Sequence, residues 1–305
     1  MLRLTSFGES VQPTPRAAGR PSQTQCVSFG GVVFELLSAE PLPIDPAAAR
    51  FFRVGADPRT VADVACAVRV DAGREWPSRI PNEVVFSYDA AGATRVHART
   101  FEAELSRLGP GRYAAAATVA PGCEAVSDLL RGLAASMLHA EGGVVMHAAG
   151  LVLDGVALLL VGPSGAGKST ALRSTRGATC LADDHVALVP RPEGWFAWGL
   201  PGGTAAGIAP SDSSAYPLGA IVRVRRGAPG SSPGFQLLRG ASALFALRES
   251  VEWADRSAGA EELYLRAVTD LSSQVRVAAI ETVLGRDNLA VLRALMASND
   301  KRALT

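Results

Sequence analysis

The chain has 305 residues, of which 48% are apolar and 19% charged, with a formal charge of +1. That apolar share supplies a sizeable core and excludes a largely disordered polymer. The near-neutral charge, with no basic run, excludes the clustered lysine and arginine that a nucleic-acid surface needs. The length suits two compact domains, or one large domain with an appendage.

Cys26, Cys66, Cys123 and Cys180 are scattered without ligand-like spacing, which reads as reduced, packed thiols. The opening MLRLTSFGESVQPTP has no apolar run of signal-peptide length, and no later apolar stretch is long enough to span a bilayer. The expectation is a soluble, cytoplasmic protein with no membrane partner. An assembly of like chains stays open.

Residues 8–25 are rich in Pro, Ser, Gly and Gln without periodicity and read as a flexible arm. From Val27 to Val119, short apolar runs alternate with turn signals, as in VSFGGVVFELL, EVVFSYDAAGATRVHA and RYAAAATVA. This pattern predicts small antiparallel strands in a mostly β module over 1–122. After Pro121-Gly122 a helix is expected from Glu124 to Ala140. There Val126, Leu129, Leu130, Leu133, Met137 and Leu138 form one stripe, closed by Gly142-Gly143. The second unit, 123–305, begins with that helix.

Next comes VVMHAAGLVLDGVALLLVGPSGAGKST, residues 144–170. A short helix from Lys168 should stop at Gly177. ATCLADD reads as a strand ending in two carboxylates, and HVALVP as another strand. The segment GWFAWGLPGGTAAGIAPSDSS reads as loop, AIVRVRR as a charged edge strand, and GAPGSSPG as a further loop. Helical patterns follow in SALFALRESV, AEELYLRAVTDLSSQ and around Asn288 to Ala297.

GPSGAGKS satisfies G-x-x-x-x-G-K-[ST] and stands between the apolar run VALLLV and a helix, which is the context the motif needs. Its backbone N–H groups can converge on phosphate oxygens, with a lysine to neutralise the outer ones. The chain holds 28 arginines and only two lysines, Lys168 and Lys301, so the lysine in this loop stands out. A compact ammonium fits between phosphates where a planar guanidinium does not. The candidate nucleotide-binding residues are Gly162, Pro163, Ser164, Gly165, Ala166, Gly167, Lys168, Ser169 and Thr170, with the Ser169 hydroxyl available to Mg²⁺.

Asp154-Gly155 between two apolar runs is a strong hairpin signal of type I′. If Leu153 pairs with Val156, the register sets His147 opposite Gly162, at the rim of the phosphate loop. A one-residue bulge would turn the imidazole away, and a histidine hydrogen-bonded inside a sheet stays open as the other reading. Asp183 and Asp184 close a strand, so both acids are expected near the loop on opposite faces with divided roles. An Asp-rich turn or a helix-cap pair is the structural alternative.

These residues carry a resemblance. The run M-H-A-A-G, then D-G-V-A-L-L-L-V-G-P-S-G-A-G-K-S, then L-A-D-D-H-V, resembles the catalytic domain of HPr kinase/phosphorylase and its relatives, over roughly 142–189. That fold is similar to the nucleotide site of PEP carboxykinase. The resemblance implies an α/β P-loop kinase domain whose β-hairpin leads into the phosphate loop, preceded by the smaller β module. It implies ATP and Mg²⁺ as cofactors and a peptide or protein acceptor with a hydroxyl side chain. By the same resemblance Lys168 and the loop amides hold the triphosphate, and Ser169 and Asp184 serve the metal. Asp183 would be the general base, and His147 a polar partner at the reacting centre. Two departures are visible: the loop ends GKST where GKSE is usual, and WFAWGLPGGT stands where the family carries its E-I-R-G-L-G segment. A nucleotide-binding regulatory or scaffold module, and a small-molecule kinase, are the alternatives. Arg223, Arg225 and Arg226 either steer an acidic partner or are simply solvated.

Overall fold

A computed structural model describes residues 23–29, 32–44, 53–54, 63–76, 85–88, 94–200, 214–228, 234–251, 258–283 and 287–298. Among these residues lie two eight-stranded sheets and five helices, a mixed α/β architecture. None of the helices is long and apolar enough to cross a membrane. Cys26, Cys66 and Cys180 are free thiols.

The front sheet contains β1 (Gln23–Phe29), β2 (Val32–Ser38), β3 (Arg53–Val54), β4 (Val64–Val70), β5 (Val85–Tyr88), β6 (Thr94–Ala98), β7 (Phe101–Gly109) and β8 (Arg112–Val119). Their order across the sheet is β3-β1-β2-β4-β8-β7-β6-β5. Alternation builds its one-sided face: Phe101, Ala103 and Leu105 of β7 are buried while Glu102 and Glu104 are exposed. The expectation of antiparallel strands needs one correction, because β2–β4 and β4–β8 are parallel pairs. Pairing between strands distant in sequence is set by packing, and no local turn announces it. The proposed arm also ends earlier than expected. Gln23, Thr24 and Gln25 already belong to β1, paired with Ser38, Leu37 and Leu36, while residues 8–22 lie outside the described residues.

Helix α1 (Cys123–Ala140) covers the buried face of the front sheet and also packs on the second sheet. A single buried cluster therefore runs from Phe34 and Phe101 through Leu129, Leu130 and Leu133 to Val144 and Val186. The helix approaches closely because Gly132 carries no side chain: a Cβ there would lie 2.6 Å from the Phe101 ring.

The second sheet holds β9 (Val144–Leu153), β10 (Val156–Val161), β11 (Thr179–Ala182), β12 (His185–Arg191), β13 (Gly194–Gly199), β14 (Tyr216–Arg226), β15 (Phe235–Leu237) and β16 (Arg276–Thr282). Strands β10, β14 and β16 run parallel. A second cluster packs this sheet against α2 (Lys168–Ser174) and α5 (Leu289–Ala297), while α3 (Ala241–Arg248) and α4 (Ala258–Gln274) join the first cluster. Strands buried on both faces need continuous apolar runs, which accounts for VALLLV in β10 and VAAI in β16.

Two expectations fail here. GWFAWG is strand β13, paired with β12 along its whole length. Trp195 and Trp198, on opposite faces of the strand, are both buried in the core, a signal masked by the flanking glycines. Strand β14 lies inside the sheet, between β10 and β16, rather than at an edge. Its arginines are tolerated because they sit at the end of the strand, where Arg225 and Arg226 reach solvent. The loop segments 201–213 and 229–233 lie outside the described residues.

The β9–β10 hairpin follows the register read from its turn, from Leu153↔Val156 to Ala148↔Val161 without a bulge. Asp154 and Gly155 have φ of 52° and 80°, as a type I′ turn requires. A Cβ at Gly155 would meet nothing within 4 Å, so a substitution there tests backbone conformation alone. Gly155→Val is expected to cost about 1–2 kcal/mol, read as a lower urea midpoint at unchanged m-value.

Candidate functional site

The phosphate-loop motif leaves β10 at Val161 and enters α2 at Lys168. Gly162, Gly165 and Gly167 have φ of 144°, 76° and 101°, backbone that side chains rarely tolerate and that lets the loop curl on itself. Gly162 is pinned tightly: a Cβ there would lie 3.2 Å from the carbonyl oxygen of Val224. Pro163, Ser164, Gly165 and Thr170 are exposed, Ala166, Gly167 and Ser169 are half-buried, and Lys168 is 7% exposed. The Lys168 ammonium donates to the carbonyl of Gly162 at 2.8 Å and to that of Pro163 at 3.5 Å, so the lysine folds back across its own loop.

The hairpin pairing ends at Ala148↔Val161, so the expected His147–Gly162 pair is not formed: the His147 N–H turns to Ser250, and the Gly162 carbonyl accepts from Lys168. On the other flank of β9, strand β12 pairs in the register His185↔His147. The backbone fixes this corner from several directions. The N–H of His147 donates to Ser250 C=O at 2.7 Å, that of Ala148 to Asp184 C=O at 2.9 Å, and that of Leu200 to His185 C=O at 3.0 Å. An isolated bridge, Met146↔Val251, extends the support on the α3 side.

Three side chains meet at this corner. His147 Nε2 lies 3.7 Å from Asp184 Oδ1, and His185 Nδ1 lies 3.1 Å from Asp184 Oδ2. The two imidazoles stand edge to face, with centroids 5.9 Å apart. His185 is nearly buried, with 9% of its side chain exposed, whereas His147 and Asp184 keep 28% and 31%. One imidazole nitrogen thus lies near each oxygen of the Asp184 carboxylate.

Asp183 and Asp184 do diverge, but not as neighbours on a strand, because β11 ends at Ala182 and both acids occupy the bend before β12. Asp184 faces the imidazoles. Asp183 lies near Cys180, whose thiol is pushed up to about 12 by burial and then by the Asp183 charge. The remaining candidates are arranged differently. Arg223 is tied to Glu249 at 2.5 Å and stands 5.6 Å from the centroid of the Phe245 ring, whereas Arg225 and Arg226 are exposed at the strand end. Arg223 shares a cross-strand row with Val161 and Ala148 at the loop end of the sheet.

His185 is the residue that the motif reading passed over. Its only signal is its position directly after the two aspartates. The pairing of β12 with β9 spans some forty residues of chain, and nothing local to either strand specifies it.

No family model matches the chain, and no curated protein matches it. Among solved structures, the Hpr(Ser) kinase/phosphatase from Coxiella burnetii is similar over 50% of this chain and 92% of that chain, at 13% identity and a TM-score of 0.27. A likeness this slight is compatible with a distant relationship and carries no weight for the chemistry, which has to stand on the residues just described.

Proposed function

We propose that this chain binds ATP in the Gly162–Thr170 loop and transfers the γ-phosphoryl group to a hydroxyl, as on a serine of a peptide or small protein. The observation that supports this is the phosphate-loop corner itself: Gly162, Gly165 and Gly167 curl the chain at positive φ between β10 and α2, and the buried Lys168 folds back across it. In phosphoryl transfer the protein's contribution is largely positioning and charge stabilisation, and this corner offers both. The loop amides and Lys168 hold the triphosphate. Asp183, in the bend directly before Asp184, is the candidate base that takes the acceptor's hydroxyl proton. His147, on β9, is the candidate polar partner at the reacting centre.

A hard divalent cation would be held by the Ser169 hydroxyl on the first turn of α2, with the Asp184 carboxylate proposed as a further oxygen ligand. Magnesium held there would supply charge neutralisation on the phosphate oxygens. The division of the chain at 122/123 belongs to the same proposal, with the loop-bearing unit carrying the chemistry.

The assay is incubation with γ-labelled ATP and a panel of hydroxyl-bearing peptides, small proteins and metabolites. Asp183→Ala is expected to lower transfer on the order of 10²–10⁴-fold while ATP affinity holds. If the variant labels acceptors as fast as the parent chain, Asp183 is not the base. One observation favours a second reading. Strand β13, GWFAWG, carries no carboxylate where the resembled family has its acidic segment. A nucleotide-binding module without transfer would bind ATP tightly and label no acceptor in the panel.

A further inference from the structure

We infer that Arg226, the last residue of β14, is a second cationic contact for the donor's phosphate chain, acting with Lys168 from the flank of the phosphate loop. This contact rests on the nucleotide-binding reading of the loop and adds a residue outside its motif. Strands β10, β14 and β16 run parallel, so their carboxyl ends share one edge, the edge at which parallel α/β sheets bind ligands. Strand β10 stops at Val161, in the row of Arg223, whereas β14 continues through Val224 and Arg225 to Arg226. At about 3.3 Å per residue, those positions carry β14 about 10 Å past the start of the loop. They stand as a wall along its side.

Both ends of the loop lean on that wall. A Cβ at Gly162 would lie 3.2 Å from the Val224 carbonyl oxygen, and one at Gly167 would lie 3.8 Å from Thr282 Oγ1. Thr282 is the cross-strand partner of Arg226, and its hydroxyl donates to the carbonyl of Arg225 at 3.3 Å. The N–H of Gly227 donates to Thr282 C=O at 3.0 Å, so the backbone is held on through Arg226. Alternation sets the direction of the side chains. Val222 and Val224 share a buried cluster with Ala171 and Leu172 of α2, while Ile221 belongs to the other cluster. Arg226 continues the face of Val222 and Val224, on the side of the loop and α2. Arg225 turns the other way with Arg223, which meets Glu249 and Phe245, and has Glu281 as its cross-strand partner. Arg226 is exposed, and no ion pair among the described residues engages it. Protection of a sheet edge does not account for it, because β14 is an interior strand. A guanidinium that approaches from the flank needs no room inside the loop and offers several N–H donors to phosphate oxygens.

The test is calorimetric titration of the full chain with a non-hydrolysable ATP analogue and, separately, with inorganic tripolyphosphate, both with magnesium present. Arg226→Ala is expected to weaken binding of both by about 10-fold, the scale of one charge-assisted contact at a part-screened position. Arg226→Lys should recover part of that loss, because the charge returns without the fork of donors. The gap between Arg226→Ala and the parent should narrow at about 1 M salt, where the screening length falls to about 3 Å. Arg225→Ala removes the same charge from the opposite face and should bind both ligands as the parent does. A merely structural role for Arg226 would lower the melting temperature and leave no salt-dependent gap. Equal binding by Arg226→Ala and the parent overturns the assignment and leaves nucleotide capture standing. Loss of the ATP analogue with tripolyphosphate unaffected also overturns it, since the contact is then to the nucleoside. So does an equal loss in Arg225→Ala, which reports net charge and no specific contact. A parent chain that binds neither ligand sinks the nucleotide reading itself, and this contact with it.

Discussion

Lys168→Ala is expected to weaken ATP binding and any phosphoryl transfer by on the order of 10²–10³-fold, the scale on which removal of one oriented electrostatic donor usually acts. The reason lies in how the lysine is held. It begins α2, is 7% exposed, and reaches back to the carbonyl of Gly162, so its charge is carried into the concave side of the loop. A charge in a part-buried, backbone-lined position interacts with phosphate far more strongly than one in bulk water. Lys168→Arg is expected to lose nearly as much, because the planar guanidinium needs room that a loop pinned at Gly162 against Val224 does not give. The effect on the free protein should be small by comparison. Loss of the hydrogen bond to Gly162 costs about 1 kcal/mol, so the variant should melt close to the parent. Calorimetric titration with a non-hydrolysable ATP analogue, alongside a thermal melt, separates the two. A variant that binds the analogue as tightly as the parent would show that the loop does not use its lysine.

Phe101→Ala is expected to cost about 3–5 kcal/mol of stability. Domains of ordinary stability have about 5–15 kcal/mol in all, so this single change removes a large share. Phe101 is fully buried at the start of β7, and its ring fills the space that Gly132 leaves on α1. The helix cannot simply settle into the vacated volume, because its other sides pack on β9 and β12. The converse change tests the same fit. Gly132→Val places carbon where the ring already stands, 2.6 Å from its edge, and should cost about 1–3 kcal/mol by overpacking, despite removing a helix glycine. Urea denaturation of both variants, with unchanged m-values, checks these figures. If Phe101→Ala unfolds at the parent's midpoint, then α1 does not bind the front sheet through this contact.

Wherever a short stretch of chain decides its own conformation, the sequence was enough. The Asp154-Gly155 turn dictates the hairpin register, because two residues at positive φ join strands in only one alignment, and the pairs from Leu153↔Val156 to Ala148↔Val161 follow from counting. The stripe of α1 and the glycine pattern of the phosphate loop are local in the same sense. Tertiary structure decided everything that depends on which distant strands become neighbours. Strand β14 reads as a charged edge because its last residues are arginines, yet it is central because β10 and β16 flank it. Strand β13 reads as loop because glycines bracket its tryptophans. His185 joins His147 only because β12 lies against the free flank of β9, a pairing stabilised by burial of both strands and encoded by neither alone. Turns carry their own geometry in a few residues, whereas strand neighbours are chosen by the collective removal of apolar surface from water, which no single segment records.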